Sequence, residues 1–101
     1  MAAATAETKF VLVAEDDDDI RQLITDTIKS ESEGLSLVVI EAKDGLEAIA
    51  HAAKKEFACV ITDLRMPKAS GEEFIRALQQ QAVNANTPTL VVSGHIGEEF
   101  T

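Results

Sequence analysis

Carboxylates carry the chemistry open to this sequence. Glu15-Asp16-Asp17-Asp18-Asp19 is an unbroken acidic run. Asp63 follows the apolar stretch Phe57-Ala58-Cys59-Val60-Ile61-Thr62, and Ser93 follows Thr89-Leu90-Val91-Val92. Carboxylates brought close together repel one another and invite a hard cation with oxygen ligands. Mg2+ suits such a set, because it takes one or two carboxylates and completes its shell with water and phosphate oxygens. A carboxylate is also a nucleophile able to form an aspartyl phosphate, and a nearby hydroxyl such as that of Ser93 can hold a phosphoryl oxygen. Taken singly, each residue has a plainer use. Acidic runs cap helices and lie in solvent, which is the favoured reading for Asp17, Asp18 and Asp19. Asp63 ahead of Pro67 suits a turn, and Ser93 suits a loop. The weight lies in their shared position at the ends of apolar runs.

Those runs must be strands for the chemistry to assemble. Phe10-Val11-Leu12-Val13-Ala14 is continuously apolar, as expected of a strand buried on both faces. Ile20, Leu23, Ile24 and Ile28 then fall on one face of a helix, with Asp17 or Asp18 placed to cap it and Gly34 closing the stretch. Leu35-Ser36-Leu37-Val38-Val39-Ile40 is a second strand. Asp44-Gly45-Leu46-Glu47 has capping-box spacing, ahead of a helix expected to turn Leu46, Ile49, Ala50 and Ala53 inward. The run from Phe57 to Thr62 is a third strand. Ser70-Gly71-Glu72-Glu73 is a second capping-box candidate, before a helix burying Phe74, Ile75 and Leu78. Thr89-Leu90-Val91-Val92 is a fourth strand, and Gly94 and Gly97 punctuate a loop after it. The order β-α-β-α-β-α-β implies a parallel sheet covered on both faces, with function at the carboxyl ends of its strands. Neighbouring strands lie roughly 4.8 Å apart. If the first and third are neighbours, Glu15, Asp16 and Asp63 converge.

Composition narrows the classes. The 101 residues are enough for one domain, and 46% hydrophobic content is enough for one core. Residues 1–8 read as a flexible N-terminal tail and 9–101 as the domain. Met1-Ala2-Ala3-Ala4-Thr5-Ala6-Glu7 lacks the basic start and apolar core of a secretory signal. No apolar run is long enough to span a bilayer, so no membrane partner is expected. A net charge of −9 argues against a nucleic-acid surface and suits a cation site. The single cysteine, Cys59, cannot form an intrachain disulfide and reads as a small core residue, with a cytoplasmic location as the default.

Together these residues resemble the receiver domain of bacterial two-component response regulators. Lys9-Phe10-Val11-Leu12-Val13-Ala14-Glu15-Asp16-Asp17 is similar to the family's opening strand and acidic pair. Glu41-Ala42-Lys43-Asp44-Gly45-Leu46-Glu47-Ala48 resembles its second-strand exit and second-helix start. Asp63-Leu64-Arg65-Met66-Pro67 with Ser70-Gly71 resembles the phosphoacceptor loop, and Pro88-Thr89-Leu90-Val91-Val92-Ser93-Gly94 the fourth strand with its hydroxyl residue. The resemblance runs from about residue 9 to the last residue. It implies a flavodoxin-like doubly wound parallel α/β sheet and a signalling module, not an enzyme. Asp63 would be the phosphoacceptor, receiving its phosphoryl group from a histidine kinase with Mg2+. Glu15 and Asp16 would be the metal-binding pair, with Glu where the family more often has Asp. The backbone carbonyl of Arg65 would complete the metal ligands, and Ser93 would contact the phosphoryl group. Arg65 and His95 stand two residues beyond Asp63 and Ser93, where side chains influence phosphoryl lifetime in this family.

One departure stands out. The family continues with a fourth helix, a fifth strand bearing a site lysine and a switch aromatic, and a fifth helix. At ordinary element lengths the expected shortfall is roughly 20 residues or more. The fold is therefore expected to be incomplete, without that lysine or the usual output face. The fourth strand is expected to leave an apolar edge that pairs with another copy of the chain. A truncated receiver serving only as a binding or oligomerisation module is the alternative function. A haloacid-dehalogenase-type phosphatase ranks below both, since its acid/base aspartate would stand where Arg65 is. The sequence also has no Gly-rich phosphate loop, no zinc-site company for His51 or His95, and no glycine at the sixth position of an EF-hand loop.

Overall fold

The computed structural model describes residues 7–92. Within them the chain runs β1 (Lys9–Ala14), α1 (Asp18–Glu31), β2 (Leu37–Ala42), α2 (Gly45–Lys54), β3 (Cys59–Thr62), α3 (Gly71–Gln80) and β4 (Thr89–Val91). The sheet order is β2-β1-β3-β4 and every pairing is parallel. The expected alternation is therefore present, and β1 and β3 are neighbours. The chain grows one way from β1 to β2 and the other way from β1 to β3, which opens a crevice at the carboxyl ends of these two strands.

Register fixes what reaches that crevice. Ala14 pairs with both Ala42 and Thr62, so Glu15 and Asp63 are each the first residue beyond the ladder. Leu12, Ala14, Ala42 and Val60 share the sheet face that packs on α2 and α3. Ala48 and Ala52 of α2, Phe74 and Leu78 of α3, and Phe57 complete this core. Phe74 and Leu78 fill it as expected, while Ile75 is only half-buried.

One expectation for the helices needs correction. In α2 the inward residues are Gly45, Ala48 and Ala52, while Leu46 is exposed and Ala50 and Ala53 face solvent. The helix is turned by about one residue from the expected face. Asp44 caps it by accepting from Glu47 N at 2.8 Å. Gly45 is pressed so closely on the β3–α3 connection that a Cβ there would lie 2.0 Å from the Ala69 carbonyl oxygen. That contact fixes the rotation, and alanines then let the helix approach the sheet. In α1 the buried residue is Thr25, whereas Leu23 is 66% exposed and Ile20 38%. This helix rests on β1 and β2 along a narrow strip. Its second apolar flank is uncovered among the described residues.

β2 begins two residues later than expected, because Lys9 N bonds to Ser36 O and sets Leu37 opposite Lys9. Leu35 stays outside the strand and exposed. Cys59 is half-buried on the α1 side of the sheet. In β4 Leu90 and Val91, and after it Val92, are partly open to solvent. Behind it, fully buried Asn84 ties several elements together. Its Oδ1 accepts from Phe57 N at 2.8 Å, and its Nδ2 donates to Ala52 O at 2.7 Å and Lys55 O at 2.9 Å.

Candidate metal and phosphoryl site

Glu15 leaves β1 with its main chain held on both sides. Its N–H donates to Ala42 O at 3.0 Å, and its carbonyl accepts from Arg21 Nη1 at 2.8 Å. Its carboxylate accepts from Asp17 N at 3.0 Å, and Asp17 in turn caps α1 by accepting from Ile20 N at 2.9 Å. Of the acidic run, Asp17 therefore serves the helix, as its position suggested. Asp18 pairs with Arg21, and Asp18 and Asp19 lie in the first turn of α1, where the helix dipole favours negative charge. Asp16 is exposed at the mouth of the crevice.

Asp63 is positioned mainly by backbone hydrogen bonds. Its N–H donates to Ala14 O at 3.0 Å, and its Oδ1 accepts from Leu64 N at 2.7 Å. Its carbonyl accepts from the buried Thr62 hydroxyl at 2.9 Å. Gly71, at the start of α3, closes the loop by donating its N–H to Leu64 O at 2.9 Å. A Cβ at Gly71 would stand 1.9 Å from the Asp63 carbonyl oxygen, so only glycine fits there. The Ser70 capping box is fully formed and anchors the far end of the loop. At α2 the second half of the expected box is displaced by one residue, because Glu47 accepts from Lys43 N.

The result is a cluster in which Glu15, Asp16 and Asp63 each offer a carboxylate oxygen within 4.8 Å of the others. Glu15 and Asp63 are buried, at 3% and 6% exposure. Burial, reinforced by the negative charges of Asp63 and Asp16, pushes the Glu15 carboxyl up to about 7 from its ordinary 4.5. A set of hard oxygen donors that resist sharing one negative region fits a divalent cation such as Mg2+. An open pocket of about 510 Å3 adjoins the cluster, lined by Asp16, Leu64, Arg65, Met66, Pro67 and Ser70 among others. Arg65 lies on its wall. Ser93 and His95 lie outside the described residues.

The sequence profile of the response regulator receiver domain matches residues 11–101. The chain belongs to that family. Among solved structures it is similar to the chemotaxis response regulator CheY4 of Vibrio cholerae, with 34% identity and a TM-score of 0.75 over 84% of this chain and 68% of that one. A protein-glutamate methylesterase/protein-glutamine glutaminase of Myxococcus xanthus is 34% identical over 82% of this chain and 22% of its own length. The receiver domain of a sensor histidine kinase from Pseudomonas aeruginosa shares the fold, at 19% identity and a TM-score of 0.71 over 84% of this chain and 66% of that chain. That structure has a magnesium ion coordinated in its active-site cleft. The curated relatives are longer proteins, of which this chain spans about a third or less. Receiver domains of this family work in two-component phosphorelay signalling, as signalling modules and not enzymes. The flavodoxin-like parallel sheet expected from the sequence is observed among the described residues, in the order β2-β1-β3-β4. No helix of the described residues is long and apolar enough to cross a membrane.

The supporting contacts of Arg21 and Lys68 in this receiver domain are not legible in the sequence. Arg21 reaches back from α1 to the Glu15 carbonyl. Asp44 and Lys68 form an ion pair of 3.6 Å that ties the start of α2 to the β3–α3 loop, where Lys68 has a left-handed φ of 72°. The hydrogen bond from Glu47 N, with Lys68 adding to it, holds the Asp44 carboxyl below the usual carboxylate range. The sequence offers only a weak signal for each. Arg21 stands one turn inside a helix among acidic residues, where a solvated ion pair is the ordinary outcome.

Proposed function

We propose that this chain accepts a phosphoryl group on Asp63 from a histidine kinase, with Mg2+ held by Glu15, Asp16, Asp63 and the backbone carbonyl of Arg65. The observation that carries this reading is the convergence of the three carboxylates at the carboxyl ends of adjacent β1 and β3. Membership of the receiver family supports it. When bound, the cation supplies charge neutralisation for the phosphoryl oxygens. Asp63 acts as nucleophile: one carboxylate oxygen forms a bond to phosphorus as the phosphorus–nitrogen bond to the kinase histidine breaks and the imidazole leaves. The hydrogen bond from Leu64 N to Oδ1 orients the carboxylate for that approach. On the family's pattern Ser93 would contact the phosphoryl group, and Arg65 and His95 would influence its lifetime. A cytoplasmic location goes with this reading.

The test is to treat the chain with a small-molecule phosphodonor and Mg2+ and follow intact mass. Wild type should gain one phosphoryl group, the gain should vanish with a chelator, and Asp63→Asn should gain none. An unmodified wild type, or equal labelling of the variant, rejects the proposal.

A further inference from the structure

Arg21 has only 11% of its side chain exposed, and its guanidinium is committed in three directions. Nη1 donates to the Glu15 carbonyl at 2.8 Å, Nε donates to Glu41 Oε1 at 3.1 Å, and Nη2 pairs with Asp18 Oδ1. Glu41 is braced in turn, since its Oε2 accepts from Thr25 Oγ1 at 2.8 Å. The network thus links the β1 exit, the end of β2 and the inward side of α1. A planar fork can serve several acceptors at once, whereas a lysine ammonium is a single point of charge.

The choice of acceptor at Glu15 matters most. Arg21 takes the main-chain oxygen, while the Glu15 carboxylate accepts from Asp17 N. A guanidinium forked onto clustered carboxylates would stand where a divalent ion needs to be. Bonded to the carbonyl, it fixes the β1–α1 corner and brings positive charge toward a crowded acidic region without closing it.

On the reading that Glu15, Asp16 and Asp63 hold Mg2+, we propose that Arg21 is the positioning residue of that pocket, clamping the β1–α1 corner through the Glu15 carbonyl so that the Glu15 and Asp16 side chains face Asp63. Such outer partners typically change metal affinity by about 10–100-fold when removed.

The experiment titrates the full 15N-labelled chain with MgCl2 at fixed pH and ionic strength, following the Asp16, Asp63 and Leu64 amides by NMR. Wild type should saturate. Folded Arg21→Gln should bind Mg2+ about 10-fold or more weakly. Arg21→Lys keeps the charge but loses the fork, and should fall between the two. Thr25→Val removes only the brace on Glu41. It should melt earlier yet keep close to wild-type Mg2+ affinity, which separates positioning from general loss of stability. Wild-type affinity in Arg21→Gln overturns the positioning role and leaves the magnesium reading standing. A wild type whose amides ignore Mg2+ sinks both. Should Arg21→Gln not fold, Arg21→Lys decides alone: undiminished affinity overturns the proposal and a clear loss upholds it.

Discussion

Glu15 is the residue where charge, burial and function meet most directly. Its carboxyl is pushed up to about 7 in the folded chain against an ordinary 4.5, chiefly by burial. The folded state therefore holds a proton that the unfolded state has already released between those values. Stability without metal should fall as pH rises from about 4.5 to about 7 and then level off. A bound cation competes with that proton, so Mg2+ affinity should rise over the upper part of the same window. Glu15→Gln should flatten the stability slope and weaken Mg2+ binding, both measurable by thermal melts and calorimetric titration across pH. A slope unchanged in Glu15→Gln would assign it to another group. Glu15, Asp16 and Asp63 are legible in sequence because each lies just past an apolar run, and parallel strands all end on one edge. Arg21 is not, because its role depends on a bond to a main-chain oxygen, which leaves no mark in residue type or spacing.

At the scale of elements, the strands and caps follow from sequence, while helix rotation does not. Asp17, Asp44 and Ser70 all cap where expected. The inward face of α2 departs from expectation because Leu46 outranks Ala48 in hydrophobicity, yet backbone contact at Gly45 decides the rotation. Gly71 has the same kind of constraint next to the site. Gly71→Ala should displace the Asp63 backbone, costing about 1–3 kcal/mol of stability. It should also slow phosphoryl acceptance, read by denaturant midpoint and labelling rate. Asn84 is the other element-scale determinant. Removing its side chain in Asn84→Ala strands the Phe57 N–H and the carbonyls of Ala52 and Lys55. About 3 kcal/mol or more should be lost, since each unsatisfied buried group costs about 1–3 kcal/mol. The Phe57 amide should then exchange much faster with solvent. Asn84 is invisible in sequence, as an asparagine between a helix and a strand ordinarily reads as a loop residue.

At the scale of the whole sheet, one face is well covered by the described residues and the other is less so. Leu90 at 55% exposure and Leu23 at 66% lie on the thin side. We expect the chain as it stands to self-associate through β4, whose outer edge is unpaired among the described residues. A net charge of −9 opposes this, so association should strengthen with added salt. A monomer independent of concentration and salt in sedimentation would refute it. The sequence shows the apolar character of β4 through Leu90 and Val91, while the extent of exposure on α1 needs the structure. The shared site of β1 and β3 has a last consequence. A slip of β3 by one residue would send Asp63 to the opposite face and bring Leu64 to the crevice. On the proposed magnesium reading, cation binding would therefore proofread strand pairing. By mass action, a ligand that recognises only the correct register deepens that basin alone, so Mg2+ should raise the melting temperature of the native pairing and leave misregistered species behind.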